Sequence, residues 1–171
     1  VSIGHSNITA ETLSFKVKDG SGSSYIVSNN HVMANSNNAS IGDNILQLGP
    51  FDGGSDPADK IGTLADFVEI KFDGSDNVVD AAIASIVSGD VMSHTGGEGY
   101  GQPSTVTKSA SALMSVTKYG RTTEQTVGTV YATNAMVDIC CKTQGPFRCK
   151  ELARFVRQII ITPGSFSAGG D

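Results

Sequence analysis

Tryptophan is absent from these 171 residues, and cysteine and histidine occur three times each. No apolar stretch approaches the ~20 residues that cross a bilayer as a helix. The opening Val1-Ser2-Ile3-Gly4-His5 has neither a basic start nor an apolar signal region, so the chain is expected to be soluble or already processed, with no membrane partner. A basic run is missing too. Twelve Lys and Arg stand against 17 Asp and Glu, a net charge of −5, which argues against a general affinity for nucleic acid or an anionic lipid surface. Amphipathic segments of crossover length are lacking, which argues against a parallel α/β sheet. Cys140, Cys141 and Cys149 are too few and too close together for a disulfide framework. One internal bridge fits, from Cys140 or Cys141 to Cys149, and reduced thiols are the alternative. A structural zinc would want about four ligands, and no histidine lies near these three. The compartment stays open, with a secreted or periplasmic setting favoured.

What is present is a β-forming composition. The chain has 20 glycines, 39% hydrophobic and 17% charged residues, enough to bury a core. Thr12 to Lys18 alternates apolar and polar residues, Asp19-Gly20-Ser21-Gly22 turns, and Ser24 to Ser28 returns, which reads as a hairpin. Further strands are predicted at 44–48, 61–64, 67–72 and 78–86, then at 112–119, 126–132, 135–139 and 155–162, with a helical turn over 150–154. That makes about six strands in the first half and four in the second. The Gly-, Ser- and Thr-rich stretch 88–107 reads as a connection, with a boundary near Gly97. Regular short strands separated by turns favour an all-β sandwich or barrel.

Two ionisable residues stand out. His31 ends an apolar strand and begins a small-residue turn in Val27-Ser28-Asn29-Asn30-His31-Val32-Met33-Ala34, and a lone histidine there is ordinarily a packed or surface one. Asp80 lies in Val78-Val79-Asp80-Ala81-Ala82-Ile83-Ala84, read as a carboxylate inside an apolar strand. A buried carboxylate is costly unless it is bonded, so Asp80 requires a partner: an imidazole, or backbone N–H groups. The third segment is Gly164-Ser165-Phe166-Ser167-Ala168-Gly169-Gly170-Asp171, whose glycines allow backbone N–H groups to converge on an anion. For metal binding, His5, His31 and His94, or Asp52, Asp56 and Asp59, are the groupings to weigh. The aspartates lack the full Ca²⁺-loop pattern, and no metal or cofactor is expected.

These segments, in this order, resemble the chymotrypsin-like (trypsin-like) serine proteases, and the stretch Gly120-Arg121-Thr122-Thr123-Glu124 followed by Gly128-Thr129-Val130 resembles their bacterial members. Glu124 stands where that pattern has glycine. The order His, Asp, glycine loop separates this family from subtilisins and α/β-hydrolases. The resemblance implies two Greek-key antiparallel β-barrels, the first over 1–96 carrying His31 and Asp80, and the second, over 97–171, incomplete. It implies a serine endopeptidase acting through a His-Asp-Ser triad. His31 is then the general base, Asp80 the group that orients it, Gly170 an oxyanion-hole donor, and Asp171 the residue that orders the loop through a buried charge partner, with the Val1 amino group a candidate. The base of the primary specificity pocket is implied near Phe166, where nothing acidic stands to select Lys or Arg.

In the family pattern the nucleophilic serine follows the glycine-aspartate pair, and this sequence ends at Asp171. Ser165 and Ser167 precede the glycines and so do not take its place. The expectation is therefore the larger fragment of a protease cut or truncated before its serine. Its partners would be a protein or peptide substrate and a complementary C-terminal segment carrying the serine. The alternative is an inactive protease-fold module that binds peptides or protein partners.

Overall fold

The structure is a computed structural model that describes residues 2–7, 10–87, 91–144 and 148–171. The hairpin comes first because its turn is self-closing. One Asp19 carboxylate oxygen accepts from the backbone N–H groups of Ser21 and Ser23, both at 2.9 Å, and Gly22 takes a φ of +90°. Strands β3 (Phe15–Lys18) and β4 (Ser24–Ser28) flank that turn. They join β1 (Ser2–His5), β2 (Glu11–Thr12), β5 (Asn44–Leu46), β6 (Lys60–Phe67) and β8 (Ala82–Ile86) in one curled sheet, ordered β2-β1-β5-β6-β8-β4-β3. Gly62 on β6 lets β8 approach, since a Cβ there would lie 2.5 Å from the Ser85 carbonyl oxygen.

The core lies inside this curl. Ile26, Leu64 and Ala84 meet on adjacent strands, with Ile3, Ile45, Val32 and Met33 packed around them, all essentially fully buried. Burial of each large side chain contributes about 1.5–3 kcal/mol, so this cluster is the main stabilising feature of the first sheet.

The second sheet, ordered β7-β11-β10-β9, consists of β9 (Ser115–Gly120), a ribbon of β10 (Glu124–Thr143) and β11 (Cys149–Thr162), and the short β7 (Asp76–Asn77). β7 runs parallel to β11, and Ile70 and Phe72 pack with Val137, Ala153 and Phe155 beneath the ribbon. A Cys140–Cys149 disulfide clips the ribbon's end, and Cys141 is a free thiol.

Several expected boundaries are corrected. Residues 61–64 belong to β6, which runs to Phe67, while 68–72 are not a strand. The expected strands at 126–132 and 135–139 are one strand, β10, because bulges between Val130 and Val137 break the alternation without breaking the pairing. Asn134 and Arg157, at φ +58° and +60°, sit at these irregularities. The helical turn expected at 150–154 is part of β11, where cross-strand pairing with β10 overrides helix-favouring Lys, Glu, Leu and Ala. Of the expected connection at 88–107, residues 88–90 lie outside the described residues and 91–107 form no strand.

Candidate active site

His31 stands on a one-turn helix, α1 (Asn30–Met33), that follows β4 directly, rather than in the turn expected at the strand's end. Asn30 fixes this turn. It is fully buried, its amide donates to the Asn37 side-chain oxygen and the Val68 carbonyl, both at 2.7 Å, and its own oxygen accepts the Asn37 N–H. The pairing of Ser28 with Ala82 sets the end of β4 beside the start of β8. Asp80 lies two residues before β8, not inside a strand, and Val78 and Val79 are exposed. The register of β4 and β8 and the turn held by Asn30 jointly bring residues 31 and 80 together.

The contact is specific. One Asp80 oxygen is hydrogen-bonded to His31 Nδ1, the other accepts the His31 backbone N–H at 3.2 Å, and Asn29 donates to the Asp80 carbonyl. Burial disfavours the charged form of His31, but bonds and charge from Asp80 and Glu11 outweigh it and push the imidazole up to about 10. Burial likewise opposes the Asp80 carboxylate, and the His31 contacts overcome it and hold the acid below its ordinary range.

Glu11 was not singled out by the sequence. Its Oε2 lies 3.1 Å from His31 Nε2, on the opposite side of the ring from Asp80. No local pattern announces it, because only the pairing of β2 with β1 carries it to the His31 ring.

The glycine loop is tied to the same place. The Asp171 side chain is 3% exposed and accepts from the Thr122 and Thr123 N–H groups, the Thr123 hydroxyl and the Ala168 N–H, all within 2.9 Å. Among the described residues its charge partner is Lys118 on β9, at 2.8 Å; the Val1 amino group, the expected candidate, lies outside the described residues. Burial raises the Asp171 carboxyl, but Lys118 and the hydrogen bonds hold it far below the usual carboxylate range. Gly170 has φ +92°, and a Cβ there would meet Arg121 Nη1 and Thr122 Oγ1 at 2.7 Å, so any other residue is strained there. The Thr12 hydroxyl donates to the Gly170 carbonyl and accepts the Arg121 N–H, linking the first sheet to the loop. Arg121 is in turn held by Asp52 through two hydrogen bonds, and Phe51 lies against its guanidinium.

Beside His31 and Asp80 opens a cleft of about 1180 Å³, walled by Val79, Phe155, Ile139 and Ile160. The metal groupings do not assemble. Asp52 pairs with Arg121, Asp56 accepts from Asn44, and Asp59 caps Ser55. His5 is buried on Asp43 at 3.0 Å, and His94 lines a separate pocket. No cluster of three or more metal-ligating side chains occurs among the described residues.

A curled antiparallel sheet bearing a histidine and an aspartate, joined to a second sheet that ends in a glycine loop, is the chymotrypsin-like β-barrel fold. Among solved structures the chain is similar to a glutamic-acid-specific serine protease, described as using a novel histidine triad in substrate binding. The TM-score is 0.64 at 20% identity, over 97% of this chain and 74% of that one. No protein-family model and no curated protein matches the sequence.

Proposed function

We propose that this chain carries the base and oxyanion-loop portion of a serine endopeptidase of the bacterial chymotrypsin-like type. The observation that supports this best is the His31–Asp80 contact, with one carboxylate oxygen on the ring and the other on the same residue's backbone N–H. That arrangement holds Nδ1 protonated and leaves Nε2 as the atom that exchanges protons with a nucleophile and a leaving group. In this reading Gly170 supplies an oxyanion-hole N–H and Asp171 holds the loop through Lys118. The nucleophilic serine is supplied by the residue after Asp171 in a longer chain, or by a complementary segment.

The structural neighbour is described as using a histidine triad in substrate binding. A histidine triad for substrate binding cannot be built within these 171 residues. Of three histidines, His31 is bound to Asp80, His5 is buried on Asp43, and only His94 remains. Glutamate specificity by that route is therefore not carried over.

The test is amide hydrolysis by the protein extended past Asp171 with Ser-Gly and the following residues of its own gene. His31→Ala is expected to abolish turnover, and Asp80→Asn to lower kcat by about 10⁴-fold, the loss that follows when such a base adopts the wrong tautomer. A folded, extended protein that binds peptides without cleaving them favours the inactive binding module instead.

A further inference from the structure

A general base in this arrangement needs Nε2 open to a hydroxyl. Here Nε2 faces the Glu11 carboxylate at 3.1 Å while Nδ1 is bound to Asp80, so both ring nitrogens face acids. Two carboxylates cannot both accept from a neutral imidazole, which carries one N–H. The geometry is satisfied by the imidazolium, and an imidazolium cannot take a proton from a serine.

Glu11 is anchored at its backbone, and among the described residues its carboxylate is hydrogen-bonded to the His31 ring alone. Its strand, β2, is two residues long and pairs with β1 through Ile3 and Ser2 only. The next residue, Thr12, is pinned by its hydroxyl between Gly170 and Arg121, at 3.1 and 2.8 Å. The glutamate side chain can therefore rotate away without unpairing the sheet. Arg121 is already engaged by both oxygens of Asp52, and among the described residues the His31 ring is the cation that Glu11 contacts. On the other side of the ring stands Asp80, with the Cys141 thiol also lining the cleft.

We propose that Glu11 is a built-in latch: its carboxylate occupies the position on His31 Nε2 that the nucleophile must take, and the site becomes active only when Glu11 swings away. This rests on the endopeptidase reading for its consequence, while the latch contact itself can be measured in the 171-residue chain. The elevation of the His31 imidazole to about 10 fits a ring held from both sides.

The experiment compares wild type with Glu11→Gln, Glu11→Ala and Glu11→Asp. The last keeps the charge but is one methylene too short for the 3.1 Å contact. Diethyl pyrocarbonate modification of His31 is followed by peptide mapping at pH 7.5, and His31 is titrated by NMR. Each unit by which the imidazole pKa falls gives about tenfold more neutral ring near neutral pH. All three variants are expected to modify at His31 at least about tenfold faster than wild type, with a lowered titration midpoint, while His94 reacts at an unchanged rate. Equal His31 rates and midpoints in wild type and in variants that retain the wild-type melting temperature overturn the latch. In the serine-bearing extended protein, Glu11→Gln is expected to raise kcat/KM, and an unchanged value also counts against the latch. A released ring with no hydrolysis in any variant counts against the endopeptidase reading alone.

Discussion

At the scale of single residues, two left-handed positions make opposite demands. Gly170 sits at φ +92°, where a Cβ would crowd the ends of the Arg121 and Thr122 side chains, and Glu124 sits at φ +54° as the first residue of β10. Left-handed backbone costs an L-residue about 1–2 kcal/mol, and glycine is exempt. Gly170→Ala is therefore expected to destabilise by at least about 1 kcal/mol and to loosen the Asp171 loop. Glu124→Gly is expected to stabilise by roughly 0.5 kcal/mol after the entropy of glycine is deducted. Urea unfolding of the two variants checks both signs. Glu124 is the position where the family pattern has glycine, so its strain was visible in the sequence as a departure before any backbone angle was known. Glu11 and Lys118 were not visible. Each is an ordinary charged residue on a strand, and only pairing across the sheet gives it a neighbour.

At the scale of elements, the hairpin at 15–28 and the short strands of the first sheet were legible because their alternation and turn chemistry agree. The ribbon was not, because bulges at Ala132, Ala135 and Val137 reset the phase that periodicity relies on. The same loss of phase hid the start of β11 behind helix-favouring residues. The bridge at the ribbon's end was legible as a choice between two partners for Cys149, and the structure selects Cys140, leaving Cys141 facing the cleft. Closing a loop of this size contributes about 2–3 kcal/mol in the chain-entropy account. Replacing Cys140 and Cys149 with serine is expected to lower stability by about that amount and to leave the His31–Asp80 contact in place. Thermal unfolding and the His31 titration report the two effects separately.

At the scale of the whole molecule, the site is a seam. His31 and Asp80 belong to the first sheet, Asp171 and Gly170 to the second, and Thr12, Arg121 and Asp52 tie the two together. The pH dependence of stability follows from the charged groups at this seam. The His31 value is raised above its ordinary 6.5, so its contribution is complete below about 6.5 and is lost as pH rises towards 10. The Asp80 and Asp171 values are lowered, so their contributions are complete above the ordinary 3.8 and are lost as pH falls below it. Stability is expected to peak between about pH 4 and 6.5 and to fall on both sides, and denaturant unfolding across pH 2–10 checks this. His31 and Asp80 were singled out because each is an ionisable residue beside apolar ones, Val32 and Met33 in one case and Val79 and Ala81 in the other. Their convergence was an inference from family order, since no local pattern encodes a contact between residues 31 and 80.

The most direct measurement is the NMR titration of the His31 ring in wild type and in Asp80→Asn. If the two residues act as one proton-handling unit, the wild-type midpoint lies near 10 and falls by more than about one unit once the carboxylate becomes an amide. A midpoint that is the same in both proteins would show that Asp80 does not govern the imidazole, and the account of the site would be wrong.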